Sequence, residues 1–291
     1  METWSSLFES YLLNQYSSLH FNDSSEVAIC LMVRDDTDIV EWITYHNRIG
    51  VNKFYVYDNL SKPRLQPLVQ PFIDINLVVY EYSYGENMPF YKRFVNRYIS
   101  EWRDPNINKQ NFINDKCFAD HSHKHKWLGF LDTDEFVRFL PVEDFPSSSL
   151  NSKSFPAVLH RAEARGCAGL SHLWTVFGSS GHISRPKGGV LGHYSKCHQG
   201  NMWKTFGFTK YMTGRTYIHN VEYKEGYAYC DAKETRIDHF AIKSWEDFQK
   251  KMKRGSGNAV KREKDYFDGF DAMSNVTCET LHMPPRGINT V

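Results

Sequence analysis

The stretch WLGFLDTDEF, residues 127–136, is an apolar run that ends in three acidic side chains. Such a short continuous run predicts a buried strand. The carboxylates of Asp132, Asp134 and Glu135 lie at its end. Burying unpaired carboxylates is costly, so they must face a positive group. Because ligands of open α/β sheets bind beyond the carboxyl ends of the strands, we expect a functional site at this turn.

The sequence Asp-Thr-Asp at the end of this strand fits three interpretations. In the first, Asp132 and Asp134 hold a divalent cation that neutralises the diphosphate of a nucleotide-sugar, because Mg²⁺ and Mn²⁺ bind carboxylates together with substrate phosphates. In the second, Asp132 is the nucleophile and Asp134 the acid of a phosphatase of the haloacid dehalogenase type. That class has Thr or Val where this chain has Phe136, and its fold begins with the motif, whereas more than 120 residues precede it here. In the third, the acids form a solvated turn.

The chain before the motif alternates between strand and helix patterns. Apolar runs predict strands at residues 27–33, 53–57 and 76–82, and helical spacing predicts helices at residues 1–20, 39–49, 89–103 and 111–125. Asp36 or Thr37 is expected to cap the second of these helices, and Gly50 to end it. This β-α-β order indicates parallel strands in an α/β fold.

Polar side chains follow the first two strands, at the same sheet edge as the acidic turn. Arg34 and Asp35 follow the first strand, and Asp58 and Asn59 end the second. Because the carboxyl ends of parallel strands meet at one edge, these four side chains are candidates to hold the base and ribose of a nucleotide. Ordinary surface turns use the same residue types, and this alternative stays open.

Beyond Pro141 the pattern changes, first to a segment rich in Ser and Pro and then to strand-like segments. These lie at residues 168–177, 203–208 and 216–223, and the tail from residue 275 has no regular pattern. The loop Gly178-Ser-Ser-Gly181 allows a sugar to approach the backbone closely. Ser244 is expected to cap a helix that ends at Gly255. Its outward face is basic, and is either solvated or in contact with an anionic ligand: Lys250, Lys251, Lys253 and Arg254.

The alternating histidines of HSHKH, residues 121–125, suggest a metal site, with Cys117 four residues ahead. A helix places His121 and His125 on one face and turns His123 away from it. We therefore expect a helix end without a metal.

The composition is that of an ordinary globular protein, with 41% hydrophobic and 24% charged residues among 291. The formal net charge of +1 gives no reason to expect nucleic acid as a partner. No run approaches the roughly 20 apolar residues of a membrane span, and the first residues lack a signal-peptide pattern. The six cysteines form no CxxC pair and several, such as Cys30, lie in apolar runs, which favours reduced core thiols. Together these features predict a cytoplasmic location.

Three parts of the chain together resemble glycosyltransferase family 92 and the related family-2-like glycosyltransferases. They are EWITYHNRIGVNKFYVYDNLS (41–61), KWLGFLDTDEFV (126–137) with LWTVFGSSGH (173–182), and IDHFAIKSWEDFQKKMKRG (237–255). The resemblance implies a single domain of the GT-A fold, over residues 1–291. In it, a Rossmann-like nucleotide-sugar-binding half, residues 21–140, is fused through a mixed central sheet to an acceptor-binding half, residues 141–291.

The resemblance also implies roles for individual side chains. Asp132 and Asp134 match the Asp-X-Asp motif, with Asp134 as a direct metal ligand and Asp132 in contact with the ribose and a metal-bound water. His239 matches the C-terminal histidine that completes the metal site in many GT-A enzymes, and its imidazole favours Mn²⁺ over Mg²⁺. Lys204 and Lys243 match basic positions and are expected to hold the diphosphate.

The implied reaction transfers a sugar from a nucleoside-diphosphate-sugar, with a UDP-sugar favoured and UDP-galactose the family-led choice, to a hydroxyl of a glycan acceptor. The metal acts as a Lewis acid on the departing diphosphate. The resemblance points to inversion, which requires a general base. We favour Asp231 among five candidates, Glu222, Glu225, Asp231, Glu234 and Asp238. A catalytically silent protein that binds glycans or nucleotides on the same fold is the alternative.

Overall fold

A computed structural model describes residues 25–82, 109–141, 154–255 and 262–284, and the fold is given for these ranges. The predicted helices at residues 1–20 and 89–103 lie outside the described residues. Of the helices within these ranges, none has the length and apolar character needed to cross a lipid bilayer.

The described ranges contain both strands and helices throughout. The strands are β1 Val27–Val33, β2 Lys53–Asp58, β3 Val78–Tyr82, β4 Trp127–Phe130, β5 Glu135–Phe139, β6 Gly169–Phe177, β7 Lys196–Phe208, β8 Met212–Thr216, β9 Val221–Tyr223, β10 Tyr229–Asp231, β11 Thr235–His239 and β12 Val276–Thr277. The α-helices are α1 Ile39–Arg48, α2 Gln66–Asp74, α3 Lys109–His121, α4 Phe155–Ala164, α5 Trp245–Arg254 and α6 Lys264–Met273.

One large mixed sheet organises the protein, with the strand order β3-β2-β1-β4-β7-β6-β11-β5. Strands β3, β2, β1 and β4 run parallel, whereas β7 is antiparallel to both β4 and β6. Strand β10 also pairs with β6 and β12 with β7, while β8 and β9 form a separate hairpin. The predicted α/β fold with a mixed central sheet is confirmed.

The sheet must curl, because β4 and β5 follow each other in the chain but lie four strands apart. In a flat sheet, four steps of about 4.8 Å would separate them by roughly 19 Å. The five-residue step from Phe130 to Glu135 reaches at most roughly 18 Å when fully extended. It is not extended, since the Glu135 amide donates to the Asp132 carbonyl at 3.1 Å. The far edge of the sheet therefore returns towards β4 and brings the acidic turn close to β11.

Helix α1 fixes the returning edge strand. The Trp42 indole N–H donates to the Glu135 carbonyl at 2.7 Å, and the Tyr45 hydroxyl donates to the Val137 carbonyl at 2.6 Å. Both aromatic side chains are buried in the main core, with Phe136. These bonds satisfy carbonyl groups on β5 that would otherwise be buried without partners, and so anchor this edge strand to the helix.

Several element predictions need correction. Asp38, not Asp36 or Thr37, occupies the N-cap position of α1, and the Asp36 carboxylate instead accepts the Asp38 amide at 3.0 Å. The predicted strand at residues 216–223 is the second half of a hairpin, β8–β9. Helices α4 and α6 and the short strand β12 were not predicted. Ser154 caps α4 by accepting the Ala157 amide, so Ser154 followed by proline was a signal for this helix.

The prediction of reduced cysteines is wrong, because all six cysteines pair. The disulfides are Cys30–Cys117, Cys167–Cys230 and Cys197–Cys278. They join positions 63 to 87 residues apart, so spacing along the chain gives no indication of them. Apolar surroundings suit a buried disulfide as well as a buried thiol, and this is why the apolar run around Cys30 was misleading. The cytoplasmic location that rested on free thiols loses this support.

We predict that the double variant Cys30→Ala/Cys117→Ala loses about 2–4 kcal/mol of unfolding free energy, because the unfolded chain gains conformational freedom. Urea unfolding of the oxidised proteins measures the difference. With a reductant present, wild type and variant should become similar in stability. Equal stability of the oxidised proteins, or alkylation of wild-type thiols under native and denaturing conditions, would contradict the pairing.

Candidate functional site

The acidic turn between β4 and β5 meets the end of β11 and the last turns of α5. The Phe240 amide donates to the Asp134 carbonyl at 2.8 Å, which fixes the turn against the residue that follows β11. Strand register places His239 opposite Glu135 on β5 and beside Val176 on β6. The structure thus brings His239 to Asp134 although 105 residues separate them in the sequence.

Asp134 is buried and faces two nitrogen groups. Its Oδ2 accepts a hydrogen bond from the Lys251 ammonium at 2.6 Å, and its Oδ1 lies 3.6 Å from His239 Nε2. Burial alone would raise the pKa of Asp134, but Lys251 and His239 outweigh burial and hold it well below the usual range. Asp134 is therefore an ionised carboxylate at neutral pH.

His239 offers a neutral imidazole at the same place. Burial lowers the pKa of His239, and Asp134 only partly offsets this effect. The ring packs against Trp174 with centroids 4.1 Å apart, and its Nδ1 is buried without a hydrogen-bond partner in the described ranges. A neutral imidazole facing a carboxylate is a suitable donor set for Mn²⁺.

Asp132 belongs to a second network on the other side of the turn. One of its oxygens accepts a hydrogen bond from Gln110 at 2.7 Å, and the other accepts one from Lys204 at 3.2 Å. Lys204 also lies 3.2 Å from Glu135, and is only 1% exposed. Burial raises the pKa of Glu135 to about 8 despite Lys204. Lys204 therefore acts in the interior of the turn, where it pairs with Asp132 and, above the pKa of Glu135, also with the Glu135 carboxylate.

Lys243, the other predicted diphosphate ligand, is also paired with carboxylates of the protein. It has the left-handed backbone φ of +53°, and its ammonium contacts Asp38 and lies 3.6 Å from Asp36. Burial opposes the charge of Lys243, but these two carboxylates outweigh it and raise its pKa. Arg185 joins the same cluster through Asp38 and through Asp247, at 2.9 Å from the latter.

A cavity of about 210 Å³ opens between these charged groups. It is lined by both signs of charge: Asp35, Asp36, Asp38, Asp134, Asp247, Arg185, Lys243, Lys250, Lys251 and Arg254, with Thr37, Ala241 and Ile242. Five basic side chains around one cavity can stabilise a polyanion such as a diphosphate.

The side-chain carboxylates of two of the four candidates for base and ribose binding accept hydrogen bonds from the protein itself. Asp58 is fully buried, and its carboxylate accepts from the amides of Ser61 and Leu65 and from the Tyr80 hydroxyl. Asp35 accepts the Lys62 amide at 2.7 Å and also lines the cavity. The contacts of Asp58 explain its position without a ligand.

Arg34 and Asn59 lie at the predicted sheet edge. The Arg34 side chain is 45% exposed, and its carbonyl accepts from Arg254 at 2.6 Å. The Asn59 amide donates to the Val33 carbonyl at 2.7 Å, which joins the ends of β1 and β2. Both remain candidates for donor binding.

The structure does not bring Asp231 to the acidic turn. Register pairs Asp231 with Ser171 near the start of β6, and His239 with Val176 near its end. Five residues of strand correspond to roughly 17 Å. Of the other base candidates, Asp238 binds Arg138 at 2.6 Å and Glu234 binds Arg161, while Glu222 accepts the Thr213 hydroxyl at 2.7 Å.

The contact of Lys251 with Asp134 was not predicted, because the helical pattern places Lys251 on an outward basic face. Its side chain is only 13% exposed and reaches Asp134. Helix phase was the available signal, because Lys251 lies three residues after the buried Phe248. His219 was not predicted either. The Trp174 ring contacts both histidines, with centroids 5.1 Å from the His219 ring and 4.1 Å from the His239 ring.

A second group of possible metal ligands lies by the histidine-rich segment. Ligand atoms of Glu81, Asp120 and His121 are within 4.8 Å of one another. The Lys116 ammonium contacts both acids, at 3.4 Å from Glu81. Strand β3, which carries Glu81, lies three strands from β4 in the sheet, so this group is not part of the site at the acidic turn.

Comparison with known proteins identifies a family for this chain. A family model described as Glycosyltransferase family 92 matches residues 25–265. Similar curated proteins, all named as members of that family, include one from Ricinus communis, 26% identical over 79% of this chain and 37% of its own length. Another, from Oryza sativa subsp. japonica, is 24% identical over 88% of this chain and 39% of its own length. One from Arabidopsis thaliana is 26% identical over 79% of this chain and 37% of its own length. The chain spans about two fifths of the length of these relatives.

Solved structures of S. aureus TarS are also similar, but distantly. One covers 75% of this chain and 37% of its own, with a TM-score of 0.37 and 5% identity. The match to the other, TarS 1-349, covers 85% of this chain and 70% of the TarS chain, with a TM-score of 0.38 and 10% identity.

We predict that Lys204→Met lowers the free energy of unfolding by about 3–5 kcal/mol above the Glu135 pKa of about 8, because two carboxylates lose their shared cation. The loss should be smaller at lower pH, where Glu135 takes up a proton. Urea unfolding at about pH 6 and about pH 9 measures both effects. Adding Glu135→Gln should recover part of the loss.

The exposed Lys233→Met is the matched control for Lys204→Met and should change stability by less than about 0.5 kcal/mol. If Lys204→Met is as mild as this control at high pH, then Lys204 is not the structural cation of the turn.

Proposed function

Because the chain belongs to glycosyltransferase family 92, we propose that it is the catalytic domain of a metal-dependent glycosyltransferase. It transfers a sugar from a nucleoside-diphosphate-sugar to a hydroxyl of a glycan acceptor. The favoured donor is a UDP-sugar such as UDP-galactose. The observation that carries the proposal is the convergence of Asp134 and His239 beside a cavity lined by five basic side chains.

The residues fit the metal ion that the family implies. Asp134 offers an ionised carboxylate and His239 a neutral, buried imidazole whose Nε2 faces it. Asp132 lies on the same turn, is partly exposed, and can contact the ribose or a metal-bound water. Mn²⁺ accepts this mixture of oxygen and nitrogen ligands better than Mg²⁺ does. When bound, the ion supplies Lewis-acid stabilisation to the departing diphosphate.

The protein's own side chains position the donor. Lys243 and Arg185 hold Asp36 and Asp38 in place and thereby shape the wall of the cavity. Arg254 and Lys251, on the last turns of α5, add positive charge where the diphosphate is expected. Arg34, Asp35 and Asn59 stay in the proposal as contacts for base and ribose.

The family also points to inversion at the anomeric carbon, and we retain it as part of the proposal. A general base must lie within hydrogen-bond reach of the acceptor hydroxyl. The distance along β6 between Asp231 and the metal ligands speaks against Asp231 in this role. The acceptor is proposed to bind on the half formed by residues 141–291, near the loop Gly178-Ser-Ser-Gly181 that follows β6.

The three disulfides support an oxidising compartment for this domain. Disulfides persist in secreted proteins and in the lumen of the secretory pathway, and are rare in the cytosol. We therefore propose that the domain works in such a compartment, in place of the cytoplasm predicted from free thiols.

One observation favours a second candidate function, a donor-binding protein without catalysis. The Lys251 ammonium already binds one oxygen of Asp134, the carboxylate to which we assign the metal. A screen for donor hydrolysis with UDP-sugars and Mn²⁺ separates the two functions, because only the enzyme releases UDP.

We predict that Asp134→Ala and His239→Ala each abolish Mn²⁺-dependent donor turnover, by about 100-fold or more. Release of UDP from UDP-galactose, with and without an acceptor, measures the loss, and thermal unfolding checks that both variants stay folded.

Asp268→Ala is the matched control, since Asp268 is exposed on α6 and pairs only with the neighbouring Lys264 among described residues. It should retain wild-type turnover. Near-wild-type turnover in Asp134→Ala or His239→Ala would refute their assignment as metal ligands.

A further inference from the structure

We propose that Lys251 couples metal binding to diphosphate binding. Its ammonium neutralises Asp134 until the divalent cation arrives, and then moves to the diphosphate of the donor. The inference rests on the proposed function, because it requires Asp134 to bind the metal. It assigns to Lys251 a positioning and donor-binding role.

The contacts of Lys251 fit an ammonium that neutralises Asp134 while no metal is bound. Its Nζ donates to Asp134 Oδ2 at 2.6 Å and to the Ala241 carbonyl at 2.8 Å. Within the part of the chain that the structure describes, Asp134 is the only carboxylate in ion-pair contact with Lys251. The second oxygen of Asp134 faces His239. A metal bound by Asp134 and His239 must therefore share this carboxylate with Lys251 or displace it.

The other basic side chains of the cavity differ from Lys251 in this respect. They pair with acids that are not proposed metal ligands: Lys243 with Asp36 and Asp38, Arg185 with Asp38 and Asp247, Arg254 with Asp36, and Lys250 with Glu246. A metal at Asp134 leaves these pairs intact. Lys251 is the cation whose partner is taken away.

Electrostatics then couples the two ligands. A divalent cation and an ammonium on one buried carboxylate repel each other, and the repulsion is strong because water is largely excluded. Once displaced, Lys251 remains on the cavity wall with an uncompensated charge, which a diphosphate compensates. The flexible four-carbon stem of lysine lets the ammonium move within a cavity that Asp134 and Lys251 both line. By linkage, metal and diphosphate each strengthen the binding of the other to the same degree.

The test compares Lys251→Met with Lys253→Met, an exposed lysine on the same helix that does not line the cavity. Free Mn²⁺ is measured by electron paramagnetic resonance without nucleotide, and UDP binding by calorimetry at saturating Mn²⁺. In Lys251→Met, Mn²⁺ alone should bind about tenfold more tightly, and UDP about tenfold more weakly, within the range usual for coupled sites. Lys253→Met should change neither affinity.

Lys251→Arg keeps the charge and should retain most of the coupling, and it serves as the second variant if Lys251→Met unfolds. Opposite changes of the two affinities support the inference, since a merely structural role of Lys251 would weaken both together. Unchanged or weakened Mn²⁺ binding in Lys251→Met, or loss of coupling in a folded Lys251→Arg, overturns it.

The failure of this inference differs from failure of the proposed function. If Asp134→Ala binds Mn²⁺ as tightly as wild type, the metal site itself is wrong. If Asp134→Ala loses Mn²⁺ binding while Lys251→Met behaves like Lys253→Met, the metal site stands and only the coupling through Lys251 is refuted.

Discussion

The carboxylates of Asp132, Asp134 and Glu135 lie within four residues of chain, and burial would make such a turn unfavourable without cations. Two lysines supply them from opposite sides. Lys204 comes from the middle of β7 and serves Asp132 and Glu135, and Lys251 comes from α5 and serves Asp134. The cations lie on different elements, so the turn reaches its full electrostatic stabilisation only when the sheet and α5 are in place.

The two sides of the acidic turn differ: Glu135 is enclosed by the protein, whereas Asp134 faces the cavity. The side of Glu135 is closed, with its cation buried and its backbone carbonyl bound by Trp42. The side of Asp134 opens on the cavity, with His239 opposite and with Lys251, the lysine that we propose a divalent cation displaces. The closed half therefore holds in place the half to which we assign the metal, as the neighbours of metal ligands do in known sites.

Much of this was predictable from local sequence. Apolar periodicity predicted β1, β2 and the strand before the acidic turn, and Ser244 with Gly255 predicted the limits of α5. The partners of the charges were not predictable, because they depend on register between distant strands. Lys204 reaches the acidic turn because β7 pairs with β4, and His239 reaches it because β11 pairs with β5. No local pattern encodes these pairings. The disulfides were missed for the same reason, as pairing over 63 or more residues leaves no trace in spacing.

We propose above all that Asp134 and His239 bind one cation beside the cavity that Asp134 lines. A crystal of the protein with Mn²⁺ and UDP, measured for anomalous scattering at the manganese edge, tests it most directly. The account predicts one strong peak in contact with Asp134 and His239, next to the diphosphate, with the Lys251 ammonium moved away from Asp134. A peak elsewhere, or bound UDP with Lys251 still on Asp134 and no metal beside it, would contradict the account.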